Sequence, residues 1–324
     1  MKILVPVSNK EYVDSYIKAG ADELYLGFHD EKWEEKFGPY SDINRMSGFK
    51  KIANPYSLSQ LLQIITDLKM EQKHVFVTLN ANTYSSNQIK YMEKNYFPYF
   101  AETKIDGIIF SDINAMIAAK KLGLHPVAST MCSIYNSDIA EIYYRIGVRR
   151  MILPRDVSLE EIKSICKKFP DVEFEAFFMR NGCIFSDGYC LGMHREECGA
   201  TCTYTSHGRS HYQHNFFSFS DHHDVDVNDY LYRTTFLKTA CGMCALYRLN
   251  QAGIKSLKIV GRADNHEAIC RDIALSKRNI EIMNSSNSEK EYLDKMNFPE
   301  GFPQICRMGL CCYYPEIRFE SNER

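Results

Sequence analysis

Residues 150–178 read RMILPRDVSLEEIKSICKKFPDVEFEAFF, and this stretch decides the fold class. It opens on one short apolar run, Arg150–Pro154, and closes on another, Val172–Phe178. Between them Ser158 stands where an N-cap belongs, with Glu161 three residues later. That capping-box spacing predicts a helix running to Lys168. Strand, capped helix and strand in this order form a right-handed crossover unit of a parallel sheet.

Working outward, the same unit recurs. Apolar, β-branched runs lie at Ile3–Val7, Glu23–Phe28, His74–Asn80, Gly107–Asp112, Pro126–Thr130 and Ser256–Val260, making eight with the two above. Most are apolar at successive positions, as strands covered by helices on one side and a barrel core on the other require. Helical patterns separate them: Tyr12–Ala19 ending at Gly20, Ser57–Met70, Ile113–Leu122 ending at Gly123, Ser137–Ile146 ending at Gly147, and Ala245–Ala252 ending at Gly253. A last helix is expected from Asp264 to Ile280. Eight alternations predict an α/β fold, a closed (β/α)8 TIM barrel. An open doubly wound sheet is the alternative, but no Gly-x-Gly-x-x-Gly follows the first strand.

The rhythm breaks at Arg180–Ala240, a Cys/His-rich insertion after strand seven with four cysteines, six histidines and an aromatic stretch. It falls at the C-terminal face of the barrel, where catalytic groups collect. The expected organisation is a barrel over residues 1–280, with the insertion at about 180–240, and a tail over 281–324 that carries Cys306, Cys311 and Cys312 and has no assignable fold.

The formal net charge of −2 over 324 residues gives no global attraction to nucleic acid or anionic membrane. The opening Met-Lys-Ile-Leu-Val-Pro-Val is too short for a signal peptide, and no run nears the ~20 apolar residues that span a bilayer. A cytoplasmic protein is expected. Twelve cysteines in such a compartment point to metal rather than to disulfides. The relevant ones are Cys183, Cys190, Cys198, Cys202, Cys241 and Cys244. Thiolates suit iron–sulfur clusters or zinc; the Cys198-x-x-x-Cys202 and Cys241-x-x-Cys244 pairs tolerate zinc on spacing alone. Cys132, Cys166 and Cys270 stand singly and read as small buried hydrophobes. The histidines of the insertion read as solvated loop positions more often than as ligands.

The stretch Glu175-Ala-Phe-Phe-Met-Arg-Asn-Gly-Cys183, then Gly188-Tyr-Cys190, then Cys198-x-x-x-Cys202, resembles the signature of the collagenase-like U32 peptidase family. The likeness extends from Leu4 to Ile280. It includes Gly20-Ala-Asp-Glu-Leu-Tyr-Leu-Gly27, Val77-Thr-Leu-Asn80, Asp106–Asp112, Ala128-Ser-Thr130 with Asn136, Ile152-Leu-Pro-Arg-Asp156 and Gly253–Arg262. The resemblance implies a (β/α)8 barrel, peptidase activity by name, and in several members oxygen-independent hydroxylation of ubiquinone precursors, a tRNA uridine or an rRNA cytidine. It also implies a [4Fe–4S] cluster, with prephenate as oxygen donor. Carried over by position, the ligands are Cys183, Cys190, Cys198 and Cys241, with Cys202 as substitute for Cys198. This chain departs at Met179-Arg180, where His-Gly is usual, at Ser186-Asp187-Gly188, where Tyr-Ser-Gly is usual, and at Val260, where Glu is usual.

Three functions follow as expectations. One is an iron–sulfur-dependent hydroxylase or related redox modification enzyme, acting on an aromatic small molecule or an RNA base. The second is a peptidase, for which neither Gly-x-Ser-x-Gly nor His-Glu-x-x-His is present. The third is a non-catalytic iron–sulfur subunit paired with a second family protein, with Tyr212, Phe216, Phe217 and Phe219 at the interface. For an enzyme, the strand ends supply Asp112 and Glu175 for acid–base work, and Asn80, Thr130, Arg155, Lys258 and Arg262 for substrate. Arg155 and Arg262 are expected to clamp a dicarboxylate.

Overall fold

The computed structural model describes residues 1–183, 186–190, 194–195, 199–200, 240–262, 264–302, 306 and 312–317. Eight strands, β1 Lys2–Pro6, β2 Glu23–Leu26, β3 His74–Leu79, β4 Gly107–Phe110, β5 Pro126–Ala128, β6 Arg150–Ile152, β7 Glu173–Met179 and β8 Ser256–Ile259, form one closed barrel. Every pairing is parallel, and β1 closes on β8 with Lys2 opposite Ser256 and Leu4 opposite Lys258. The expected (β/α)8 barrel is the observed one. The expected runs mostly outlast the strands by one or two residues, because the chain leaves the ladder at the C-terminal end to build the mouth.

The helices are α1 Val13–Ala19, α2 Glu31–Phe37, α3 Lys50–Ala53, α4 Leu58–Met70, α5 Ser86–Asn95, α6 Phe97–Thr103, α7 Ile113–Lys121, α8 Ser137–Arg145, α9 Leu159–Lys168, α10 Leu246–Ala252, α11 His266–Ser285 and α12 Glu289–Lys295. Local chemistry sets their ends. Ser57 and Gln60 form a reciprocal capping box on α4, and Ser158 accepts from the Glu161 amide at 3.2 Å to open α9. Gly20 and Gly253 take left-handed conformations that stop α1 and α10.

Five helices among the described residues, the four-residue α3 included, escaped the periodicity reading. α2 buries only Trp33 and α5 only Met92, so neither carries an apolar stripe. They are held instead by an aromatic cluster in which Trp33 meets Tyr84, Tyr91 and Tyr96. Asp30 ties that cluster together, accepting from the hydroxyls of Tyr96 at 2.7 Å and Tyr91 at 3.2 Å. α6 is short, and α12 lies beyond the last expected helix. α11 runs to Ser285, past the expected end at Ile280. No helix among the described residues is long and apolar enough to cross a membrane.

Candidate active site

The barrel interior is ionic where an apolar core would be the usual filling. Glu175 of β7 is fully buried; Lys258 donates to its Oε1 at 2.9 Å and Arg150 to its Oε2 at 2.9 Å. Arg150 also holds Glu23 of β2 through both terminal nitrogens, and Ser256 donates to Glu23 at 3.1 Å. Each cation lies on an aromatic face: the Arg150 guanidinium over Phe76 at 4.3 Å, and the Lys258 ammonium over Tyr25 at 4.4 Å. Burial pulls Lys258 below its usual range despite Glu175, whereas the Arg150 guanidinium holds the Glu23 carboxyl below its own against the opposing pull of burial. Glu175 is thus fixed between two cations.

At the mouth the centre is Asp187. It is 1% exposed and accepts from Arg155 Nε at 2.9 Å, Arg155 Nη2 at 3.1 Å, the Arg155 amide at 3.2 Å and Arg45 Nη1 at 3.0 Å. The two guanidinium groups hold the Asp187 carboxyl far below the carboxylate range, outweighing the burial that pushes the other way. Arg155 lies over Phe177 at 4.4 Å and donates to the Asn181 carbonyl. The expected Arg155–Arg262 clamp is therefore not what the fold builds: Arg155 is committed to Asp187.

Just past β7 the backbone turns through the left-handed region. Arg180 has φ 67° and Asn181 φ 50°, the left-handed region where glycine is the usual residue. The strain at Arg180 is offset by ion pairs to Asp264 at 3.0 Å and Asp272 at 2.7 Å, and by its amide bond to the Ala240 carbonyl at 2.7 Å.

That last bond and a bridge between Met179 and Cys241 stitch the chain leaving the insertion onto the end of β7. Cys241 is buried, and burial raises its thiol well above its usual range. Cys183 and Cys241 both lie within electrostatic reach of Tyr313, which donates to the Arg180 carbonyl and stacks on Phe177 at 5.8 Å. Cys190 lies within reach of Arg45, and its carbonyl accepts from Asn82 at 2.7 Å. Cys198 and Cys202 lie outside the described residues, as do Tyr212, Phe216, Phe217 and Phe219. Among the described residues no three His, Cys, Asp or Glu side chains are close enough to hold a metal ion. The tail joins this region: Cys312 bridges Cys241 in parallel, the Tyr313 amide donates to the Cys241 carbonyl at 3.1 Å, and Tyr314 donates to the Phe177 carbonyl at 2.8 Å. Cys244 and Cys306 are in electrostatic reach of Cys241 as well. Cys132 and Cys166 are buried in the scaffold, each with its thiol pushed up to about 12 by burial.

The remaining expected residues divide by what they touch. Asp112 accepts from the amides of Asn114 and Ala115, each at 2.9 Å, and from Tyr84 and Thr83, so its carboxylate caps α7 and ties down the loop after β3. Asn80 bridges the mouth, accepting from the Arg45 amide at 3.3 Å and donating to Ser129 at 3.4 Å. Thr130 is buried with its hydroxyl unpartnered. Arg262 donates to Asn54 at 2.8 Å and Thr78 at 3.0 Å. Glu23, Arg45, Arg150 and Asp187 were not foreseen. A charged residue opening or interrupting an apolar strand run, as Glu23 and Arg150 do, was the available signal.

Comparison with known proteins gives this geometry a context. Residues 8–305 match the model of peptidase family U32. An uncharacterized protease of Methanocaldococcus jannaschii is 24% identical over 92% of this chain and 68% of its own length. tRNA hydroxylation protein P of Helicobacter pylori is 26% identical over 59% of this chain, and the match spans 42% of that protein. A 23S rRNA 5-hydroxycytidine synthase of Escherichia coli is 24% identical over 81% of this chain and 36% of its own length. The chain thus spans well under half of the relatives named for hydroxylation. With a closed parallel barrel, a cysteine-bearing insertion after β7 and a family match over nearly its whole length, the chain belongs to peptidase family U32.

Proposed function

We propose that this chain is an iron–sulfur-dependent, oxygen-independent hydroxylase or a related redox modification enzyme, acting on an aromatic or heteroaromatic group of a small molecule or an RNA base. The observation that carries it is the stitching of Cys241 onto the end of β7 beside the loop of Cys183. This brings cysteines from both sides of the insertion to the mouth of the barrel. Relatives named for tRNA and rRNA hydroxylation support the reaction class.

Cys183, Cys190, Cys198 and Cys241 would hold a [4Fe–4S] cluster, with Cys202 in place of Cys198 as the alternative. Soft thiolates suit iron, and the three described members of the set lie at one end of the barrel. When bound, such a cluster supplies one-electron redox chemistry without molecular oxygen. The chain's own residues shape the chamber. Asp187 pairs with Arg155 and Arg45 at the mouth, Glu175 holds Lys258 and Arg150 inside the barrel, and Asn80 links the loops after β3 and β5. The peptidase reading finds less support in these residues, since neither Gly-x-Ser-x-Gly nor His-Glu-x-x-His occurs in the sequence.

Anaerobic purification with iron, sulfide and ultraviolet–visible analysis tests the cluster. Incubation with prephenate and total RNA, followed by nucleoside mass spectrometry, tests the reaction. Brown protein with about four irons per chain is expected. Zinc without iron, or peptide cleavage by cluster-free protein, overturns the reading.

A further inference from the structure

Four cationic side chains are buried among the described residues: Arg150, Arg180, Lys258 and Arg262. Three of them have a carboxylate at 3 Å or less: Arg150 and Lys258 on Glu175, and Arg180 on Asp272. Arg262 does not. It is 6% exposed, its Nη1 and Nη2 donate only to neutral oxygens of Asn54 and Thr78, and its Nε is buried with no hydrogen-bond partner. The acid nearest in sequence, Asp264, is turned away onto Arg180. Burial lowers the Arg262 guanidinium from its usual range, with only the Tyr25 phenol acting against that.

A buried, unpaired charge is costly unless something neutralises it. A fold that keeps one in place, with a donor left open, is preorganised for an anion. The local geometry is built around this group. Arg262 follows β8 and crosses to β2 and β3, where the alpha carbon of Gly27 faces it so closely that any side chain would strike Nη1 and Asn54. Its face lies 5.5 Å from Tyr25, whose ring also carries Lys258. A second surplus of positive charge lies at the same end of the barrel, since Arg45 and Arg155 share the single carboxylate of Asp187.

We propose that Arg262 is the anchor of an oxyanion site at the barrel mouth, taking the carboxylate or phosphate of the molecule that enters it, through Nε and the remaining N–H groups of the guanidinium. The site deepens the proposed function and rests on that reading only in taking the mouth as the substrate side. It is tested by binding, without turnover or a bound cluster as readout.

The test is thermal unfolding of the full-length chain, purified anaerobically, titrated with malonate or with inorganic phosphate against sodium chloride of equal ionic strength. The parent midpoint is expected to rise with malonate, phosphate or both, beyond any chloride effect. Arg262→Met is expected to start from an equal or higher midpoint, because it removes an uncompensated charge, and to weaken the anion's dissociation constant by about tenfold or more. Arg262→Lys keeps the charge and should retain a weakened response. A response to malonate alone assigns the site to carboxylates, and to phosphate alone assigns it to phosphoryl ligands. A parent indifferent to both, or an Arg262→Met that responds as the parent does, overturns the proposal. Iron loss with the anion response intact would strike at the hydroxylase reading and leave this one standing.

Discussion

Asp187→Asn is the perturbation with the most decisive consequence. The substitution is nearly isosteric, yet it removes the one negative charge shared by two guanidinium groups that donate to no other carboxylate among the described residues. Arg155 loses a two-pronged contact at 2.9 and 3.1 Å, and Arg45 one at 3.0 Å, all in a site that is 1% exposed at Asp187. Breaking a buried ion pair from one side typically costs about 3–5 kcal/mol, because the remaining charge is left unpaired. Against a total stability of about 5–15 kcal/mol, that is a large share. With a urea dependence of roughly 3 kcal/mol per molar for a chain of this size, the unfolding midpoint should fall by about 1–1.7 M at neutral pH. Arg155→Met should cost less, since Asp187 keeps Arg45. The dependence on acid carries a sign. The folded carboxyl of Asp187 titrates far below its unfolded value of about 3.9, so its stabilisation is complete above that value and is lost as pH falls through the folded one. The parent should therefore lose stability below about pH 4 more steeply than Asp187→Asn. A midpoint unchanged at neutral pH, or matching acid profiles, would refute the reasoning.

Serine at Cys183, Cys190, Cys198 or Cys241 should lower the iron content of anaerobic protein, whereas Cys132→Ser and Cys166→Ser should leave it intact; metal analysis decides. If Cys202→Ser loses iron while Cys198→Ser keeps it, the two exchange roles. Glu175→Gln leaves Lys258 without its carboxylate and should lower stability by about 3 kcal/mol, read as a shifted thermal midpoint, and an unshifted one would show the interior network to be dispensable. Tyr314→Phe removes a buried donor to the Phe177 carbonyl and should cost about 1 kcal/mol in urea unfolding, loosening the tail from the end of β7.

The architecture was already legible in the order of the residues. The eight strands were legible because parallel barrel strands, covered by helices outside, are dense in β-branched and aromatic residues, and because Ser57, Ser158, Gly20 and Gly253 mark helix ends with side-chain and backbone chemistry that acts within four residues. Interactions of that range are written in the order of the residues. α2 and α5 were not legible, since what holds them is the aromatic cluster around Trp33 rather than a stripe of their own. The mouth was legible as a set of strand-end residues but not as a set of partners. Arg155 and Arg262 look alike in sequence, each a cation just past a strand. Only the closure of the barrel brings Asp187 onto Arg155, across 32 positions, while leaving Arg262 facing Asn54 and Thr78 with no carboxylate among the described residues. Whether a buried charge is paired depends on which distant segments the fold juxtaposes, and the pairing energy exists only in the desolvated interior that folding creates.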